Sequence, residues 1–192
     1  MIRLHCTKKL LAKLPLTEDG RLRSRQNEPA VTGDDESPLC GWHANLLLLQ
    51  RRQCVLFVHD TTRFPVFIPA LKKADFAELD WHFRDGFMNT LLKVGAETQH
   101  MDAAEKLLAP LVCDNNCNRS VQGTLNQMGQ ELDFMLDYDQ TSVTELAPYQ
   151  TGAWLAERPC TVKGTRDCIW PGQAMLRLLE RTYTGQEGDC HV

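Results

Sequence analysis

The sequence lacks an apolar run near the roughly 20 residues that span a bilayer, so no membrane segment is expected. Its start, MIRLHCTKKLLAKL, is basic and apolar but too polar for a signal-peptide core. Together these absences predict a cytoplasmic chain with reduced thiols. Paired CxxC motifs are missing too. Cys6, Cys40, Cys54, Cys113, Cys117, Cys160, Cys168 and Cys190 are irregularly spaced, which argues against a zinc ribbon. No P-loop, dinucleotide fingerprint or nucleophile–base–orienter triad is present. There is no internal repeat and no low-complexity tract. Excess positive charge is also absent. A net charge of −4 argues against an extended nucleic-acid surface and leaves room only for a local basic patch.

What is present is a chain of 192 residues, 43% of them hydrophobic, enough to build one core without staples. Residues 2–5 read as a strand, and Thr7 as the cap of a helix to about Leu14. Residues 15–40 are polar and rich in turn formers, and predict a long loop inside a single domain over residues 1–185. HANLLLLQ (43–50), QCVLFVH (53–59) and FPVFIP (64–69) are apolar runs with hairpin-length breaks, an antiparallel meander. Two of them are continuously apolar, which suggests a sheet covered on both faces at its centre. Pro65 places the third run at an edge.

Helical periodicity follows. Asp75 and Glu78 form a capping-box pattern before a helix to about Val94, and Asp102 and Glu105 repeat it before a helix to about Leu108. A third helix runs from NRSVQGTLN (118–126) to about Tyr138, with Val121, Leu125, Met128, Leu132 and Met135 on one stripe. The stretch around Trp154 reads as a short strand or an irregular cover. Pro171 opens a final helix. Residues 186–192 read as a disordered tail.

NRSVQGTLN carries the main functional lead. On a helical wheel Arg119, Gly123 and Asn126 fall opposite the apolar stripe. Polar residues are ordinary there, but a glycine inside a helix costs up to about 1 kcal/mol against alanine. Close approach of a backbone or a ligand would explain it. Asn118 suits the N-cap, and a helix start with Arg119 and Ser120 in its first turn suits an anion. A structural lock, with Arg119 paired to a carboxylate of the sheet, fits the same residues. Thr7 and Lys8 can contribute to a phosphate site, though capping is the simpler role for Thr7. Trp42, His43 and Asn45 open the first meander strand, with His43 a possible general base. Cys113 and Cys117 are half of a metal site at most; His5, His100 or the Cys190-His191 tail would have to complete it. No metal and no cofactor is expected.

Three stretches carry a resemblance: RLHCTKKLL (3–11), GWHANLLLLQRRQCVLFVHDTT (41–62) and NRSVQGTLN (118–126). They resemble the patterns R-C-T-x-K-L-L, W-x-A-N-L-L before a strand like V-L-F-V, and N-R-S-V-x-G-x-x-N. These mark a family of small bacterial proteins catalogued only as a domain of unknown function. The likeness covers most of residues 2–138 and not the last fifty. It implies a compact cytoplasmic α+β domain and carries no activity. It groups Cys6, Thr7, Lys8, Trp42, Asn45, Asn118, Arg119, Ser120, Gly123 and Asn126. Cys113 and Cys117 stand outside its pattern.

The expected fold is α+β: a small antiparallel meander sheet packed by several helices on at least one face. Asn45 is expected near Arg119, closing a polar pocket. The expected function is a binding or interaction module holding a small anion, a nucleotide or an acidic group of a protein partner. The alternatives are an enzyme acting on a phosphate-containing substrate, such as a toxin- or defence-type nuclease, and a purely structural Arg119 cluster. Lys8, His43, Arg119 and Ser120 would be the enzyme's working groups.

Overall fold

The computed structural model describes residues 1–23, 37–161 and 168–184. The expected tail over 186–192, and residues 24–36 of the expected loop, lie outside them.

In chain order the elements are β1 (Ile2–Cys6), α1 (Lys8–Leu11), β2 (Trp42–Leu49), β3 (Arg52–His59) and β4 (Pro65–Leu71). A 3-10 turn (Asp75–Glu78) leads into α2 (Leu79–Lys93), α3 (Thr98–Leu107), β5 (Leu111–Asp114) and α4 (Arg119–Tyr138). The chain continues with α5 (Pro148–Ala156), the paired short strands β6 (Cys160–Thr161) and β7 (Cys168–Ile169), and α6 (Pro171–Thr184).

β2, β3 and β4 form the expected antiparallel meander. Gln50 and Arg51 turn the first hairpin at φ 46° and 64°, the signs of a type I′ turn that matches strand twist. The sheet is nevertheless mixed, in the order β4-β3-β2-β1-β5, because β1 lies parallel to both β2 and β5. Parallel neighbours need a long connection, and residues 7–41 supply one between β1 and β2. Pro65 does lie on an edge strand. On the opposite edge, Cys113 N–H donates to the Gly20 carbonyl, so the chain near Gly20 covers β5. Gly20 has φ +78°, and a Cβ there would sit 2.6 Å from the Cys113 oxygen; only glycine fits.

Helices cover both faces. Ile2, Leu4, Trp42, Ala44, Val55 and Phe57 face one apolar cluster with Phe83 and Phe87 of α2, Ala104 of α3 and Met175 of α6. Leu49, Cys54, Leu56 and Val58 face the other, under Val121, Leu125, Met128 and Leu132 of α4. The alternating strand pattern thus feeds two cores, and the continuous apolar run of β3 is the signature of that burial.

Several local expectations change. The helix after Thr7 ends at Leu11, and the Thr7 hydroxyl donates to Asn45 Oδ1 at 2.9 Å without capping α1. Asp75 accepts from Lys72 N–H and opens a 3-10 turn, so the first capping box is absent. The second box is formed five residues early, by Glu97 and His100 at the start of α3, because His100 Nδ1 is within reach of the Glu97 N–H. The Trp154 stretch is helical, with Pro148 in its first turn. β5 was unforeseen; four residues bounded by Pro110 and Asn115 are too short to show a period. α4 begins and ends where its stripe predicts, and the Asn118 side chain accepts from Ser120 N–H as a cap.

Candidate functional site

Strand register places Asp114 of β5, His5 of β1 and His43 of β2 in one row across the α4 face of the sheet. Asp60, one residue beyond β3, reaches the same row. Two imidazole–carboxylate pairs result. His43 Nδ1 lies 2.6 Å from Asp60 Oδ1, and His5 Nδ1 lies 2.6 Å from Asp114 Oδ1. The two rings stand 4.9 Å apart.

The pairs differ in what the second ring nitrogen meets. His43 Nε2 accepts from the backbone N–H of Asn118 at 2.7 Å. That bond requires a lone pair on Nε2, so the proton sits on Nδ1, facing Asp60. At 2% exposure His43 has no further capacity for chemistry; it ties the start of α4 to the sheet. His5 Nε2 has no hydrogen-bond partner among the described residues, and the nearest carboxylate oxygen, Asp60 Oδ2, is 3.9 Å away. The His5 side chain is 16% exposed. A carboxylate-oriented imidazole with one open nitrogen can accept or deliver a proton.

Beneath the first turn of α4 lies Arg63. It is buried, and its φ of 60° turns its side chain back under the hairpin. Its guanidinium donates to the Asp60 carbonyl and, at 3.2 Å, to Ser120 Oγ. Among the described residues its Nε has no hydrogen-bond partner, and no carboxylate lies within ion-pair range of it. Burial pulls the Arg63 basicity below its ordinary value, partly offset by Asp60. Arg63 thus places at this corner a buried cation, hydrogen-bonded to neutral oxygens, under a helix N-terminus, with the Asp60 carboxylate nearby.

The residues singled out from the sequence divide accordingly. His43, Asn118 and Ser120 meet at this corner, and the Thr7–Asn45 pair borders the same face of β2. Asn45 bonds Thr7, and Arg119 and Asn126 are exposed, so among the described residues no second packing layer covers the Arg119 face. Gly123 has nothing within 4 Å of a built Cβ, so no close approach explains it; the glycine that α4 lays against the sheet is Gly129, where a Cβ would sit 3.2 Å from Leu47. Lys8 is exposed on α1. Trp42 belongs to the opposite core, edge-on to Phe83 and Phe87, with its indole N–H on the Leu39 carbonyl. Cys113 is buried in that core too, and Cys117 is exposed. Among the described residues no group of three or more His, Cys, Asp and Glu has the arrangement of a metal site. The hydrogen bond to Cys113 and burial hold the Cys6 thiol far above its ordinary range, which makes it inert.

His5, Asp60, Arg63 and Asp114 were missed as an ensemble. His5 sits in the strand alternation of IRLHC, on the face opposite Leu4 and Cys6, and that was the available signal. Asp60 and Arg63 read only as hairpin residues.

A family model, Domain of unknown function (DUF6933), matches residues 3–174. The chain belongs to this family. The match takes in every residue of the row, and it extends the likeness past residue 138 through α5 into α6. No curated protein and no solved structure matches the chain. No helix among the described residues is long and apolar enough to cross a membrane.

Proposed function

We propose that this domain is a binding module for a small anion, received at the start of α4. The observation that carries the reading is Arg63: a buried guanidinium with an unpartnered Nε, bonded to Ser120 beneath the helix N-terminus. Arg119, exposed in the same first turn, supplies a second cation suited to a phosphate or carboxylate. Thr7, Lys8, Asn45 and Asn118 form the polar border; Trp42, His43, Gly123 and Asn126 contribute through structure or not at all.

The His5–Asp114 pair favours a second reading, an enzyme acting on a phosphate-containing substrate. His5 would exchange the proton while the α4 corner holds the phosphate. A nucleotide or an RNA end fits that chemistry.

Titration of the whole chain with inorganic phosphate and then AMP, followed by 15N NMR, tests both. Binding should shift the Arg119, Ser120 and Val121 amides saturably. Arg119→Ala should lose that binding at an unchanged melting temperature. Silent α4 amides sink the anion reading, and a lower melting temperature with binding intact shows that Arg119 is a structural lock. Turnover of a phosphodiester that His5→Gln abolishes while AMP still binds establishes the enzyme.

A further inference from the structure

We propose that the groove between α4 and α5 is a separate binding site for a planar, uncharged or cationic heteroaromatic ring of nucleobase type. The groove opens at the C-terminal half of α4. Phe134 lies 15 residues beyond Arg119, about 22 Å along the helix at 1.5 Å per residue, so this site stands independently of the Arg63 corner. Its volume is about 640 Å³, inside the roughly 300–1,000 Å³ of small-molecule sites.

One wall is a pair of aromatic rings that the fold does not use. Phe134 and Tyr138 are 71% and 77% exposed, and belong to neither apolar cluster. They stack on each other, centroids 6.0 Å apart and planes 20° from parallel. The other wall is Trp154 of α5, with the Arg158 guanidinium 4.7 Å over its ring. Glu131 forms an ion pair with Arg158, its Oε2 2.8 Å from Nε. One wall is thus an exposed aromatic pair and the other a planar guanidinium stacked on an indole, and flat surfaces favour a flat occupant.

Charge and polarity narrow the class. Arg158 is committed to Glu131, and Asp139 adds a second carboxylate to the lining. The lining carries one net negative charge, which disfavours a phosphate and favours a bare ring. The amides of Gln127, Gln130 and Gln150 line the groove and offer both donors and acceptors. Nucleobases have edges of that kind. A lipid or an aliphatic chain has none.

The test is titration of the full chain with adenosine, guanosine, cytidine and uridine, read at the indole N–H resonances and assigned with Trp154→Phe. At least one nucleoside should move the Trp154 signal saturably while those of Trp42, Trp81 and Trp170 stay still. The matching monophosphate should bind no more tightly. The double variant Phe134→Ala, Tyr138→Ala, altered only at exposed positions, should keep its melting temperature and weaken binding about tenfold or more. The proposal falls if none of the four moves Trp154, or if the double variant binds as well. It falls equally if monophosphates bind tighter with shifts in the first turn of α4, which would assign them to the other site. Concentration-dependent broadening of Trp154 without any nucleoside response would make the groove a contact between chains and overturn it.

Discussion

His43–Asp60 and His5–Asp114 are the same chemical pair, at the same 2.6 Å, one strand apart. The first is closed and the second is open. The difference lies in neither histidine nor its aspartate. It lies in α4, whose N-cap residue Asn118 lays its backbone N–H on His43 Nε2 and not on His5. α4 crosses β2 and β3, and β1 lies beyond its edge. A pair under the helix becomes an anchor, and a pair beside it keeps one ring nitrogen open. Residue type and partner distance therefore do not assign a histidine's role; its second nitrogen does.

The sharpest way to break the comparison is to truncate each ring. His43→Ala leaves the Asn118 N–H and the Asp60 carboxylate without their partner, and should lower stability by about 3–4 kcal/mol in chemical denaturation. His5→Gln removes a part-buried contact that is not locked at its second nitrogen, and should cost about 1 kcal/mol or less. Equal losses would show that both pairs are anchors.

A third histidine extends the contrast. His59 is buried with Thr62 as its partner and no carboxylate on its ring, and its Nε2 is unbonded. Burial pushes its value down from 6.5 to about 4, with Arg63 pushing the same way and Asp60 opposing. Above pH 6.5 the ring is neutral in both states and contributes nothing. Between about 6.5 and 4 the unfolded chain takes a proton that the folded one refuses, so stability falls as pH falls. The full loss is roughly 3 kcal/mol, constant below both values. His59→Gln should flatten that part of the pH–stability curve, measured by urea unfolding. An unchanged slope would assign the acid sensitivity elsewhere.

Gly123→Ala has the smallest expected effect. The site faces open space inside a helix, so alanine should stabilise by about 0.5–1 kcal/mol. A loss of stability would mean that the Arg119 face is covered after all, and the open side of the comparison would need redrawing. Gly129→Ala is the control, with Leu47 3.2 Å from the new methyl, and should gain less or lose.

Periodicity located α4, the meander and α6 because each is long enough for its pattern to repeat. The Thr7 hydroxyl was misread as a cap because Asn45, 38 residues away, competes for it. At the candidate site, Asn118 and Ser120 were legible from capping chemistry. Arg63 was not, since nothing in HDTTRFP says that a hairpin arginine folds under a helix 57 residues later.

The sequence by itself determined β1, the three meander strands and the helices α2, α4 and α6, that the central strands are buried on both faces, and that a capped helix begins at Asn118. These follow from local period, turn chemistry and capping, which act over a few residues. Only the tertiary structure decided that β1 inserts between β2 and β5, and that this register aligns Asp114, His5 and His43. It alone decided which histidine α4 would close. Register and helix placement are set by packing between segments far apart in the chain, and no window of sequence contains that information.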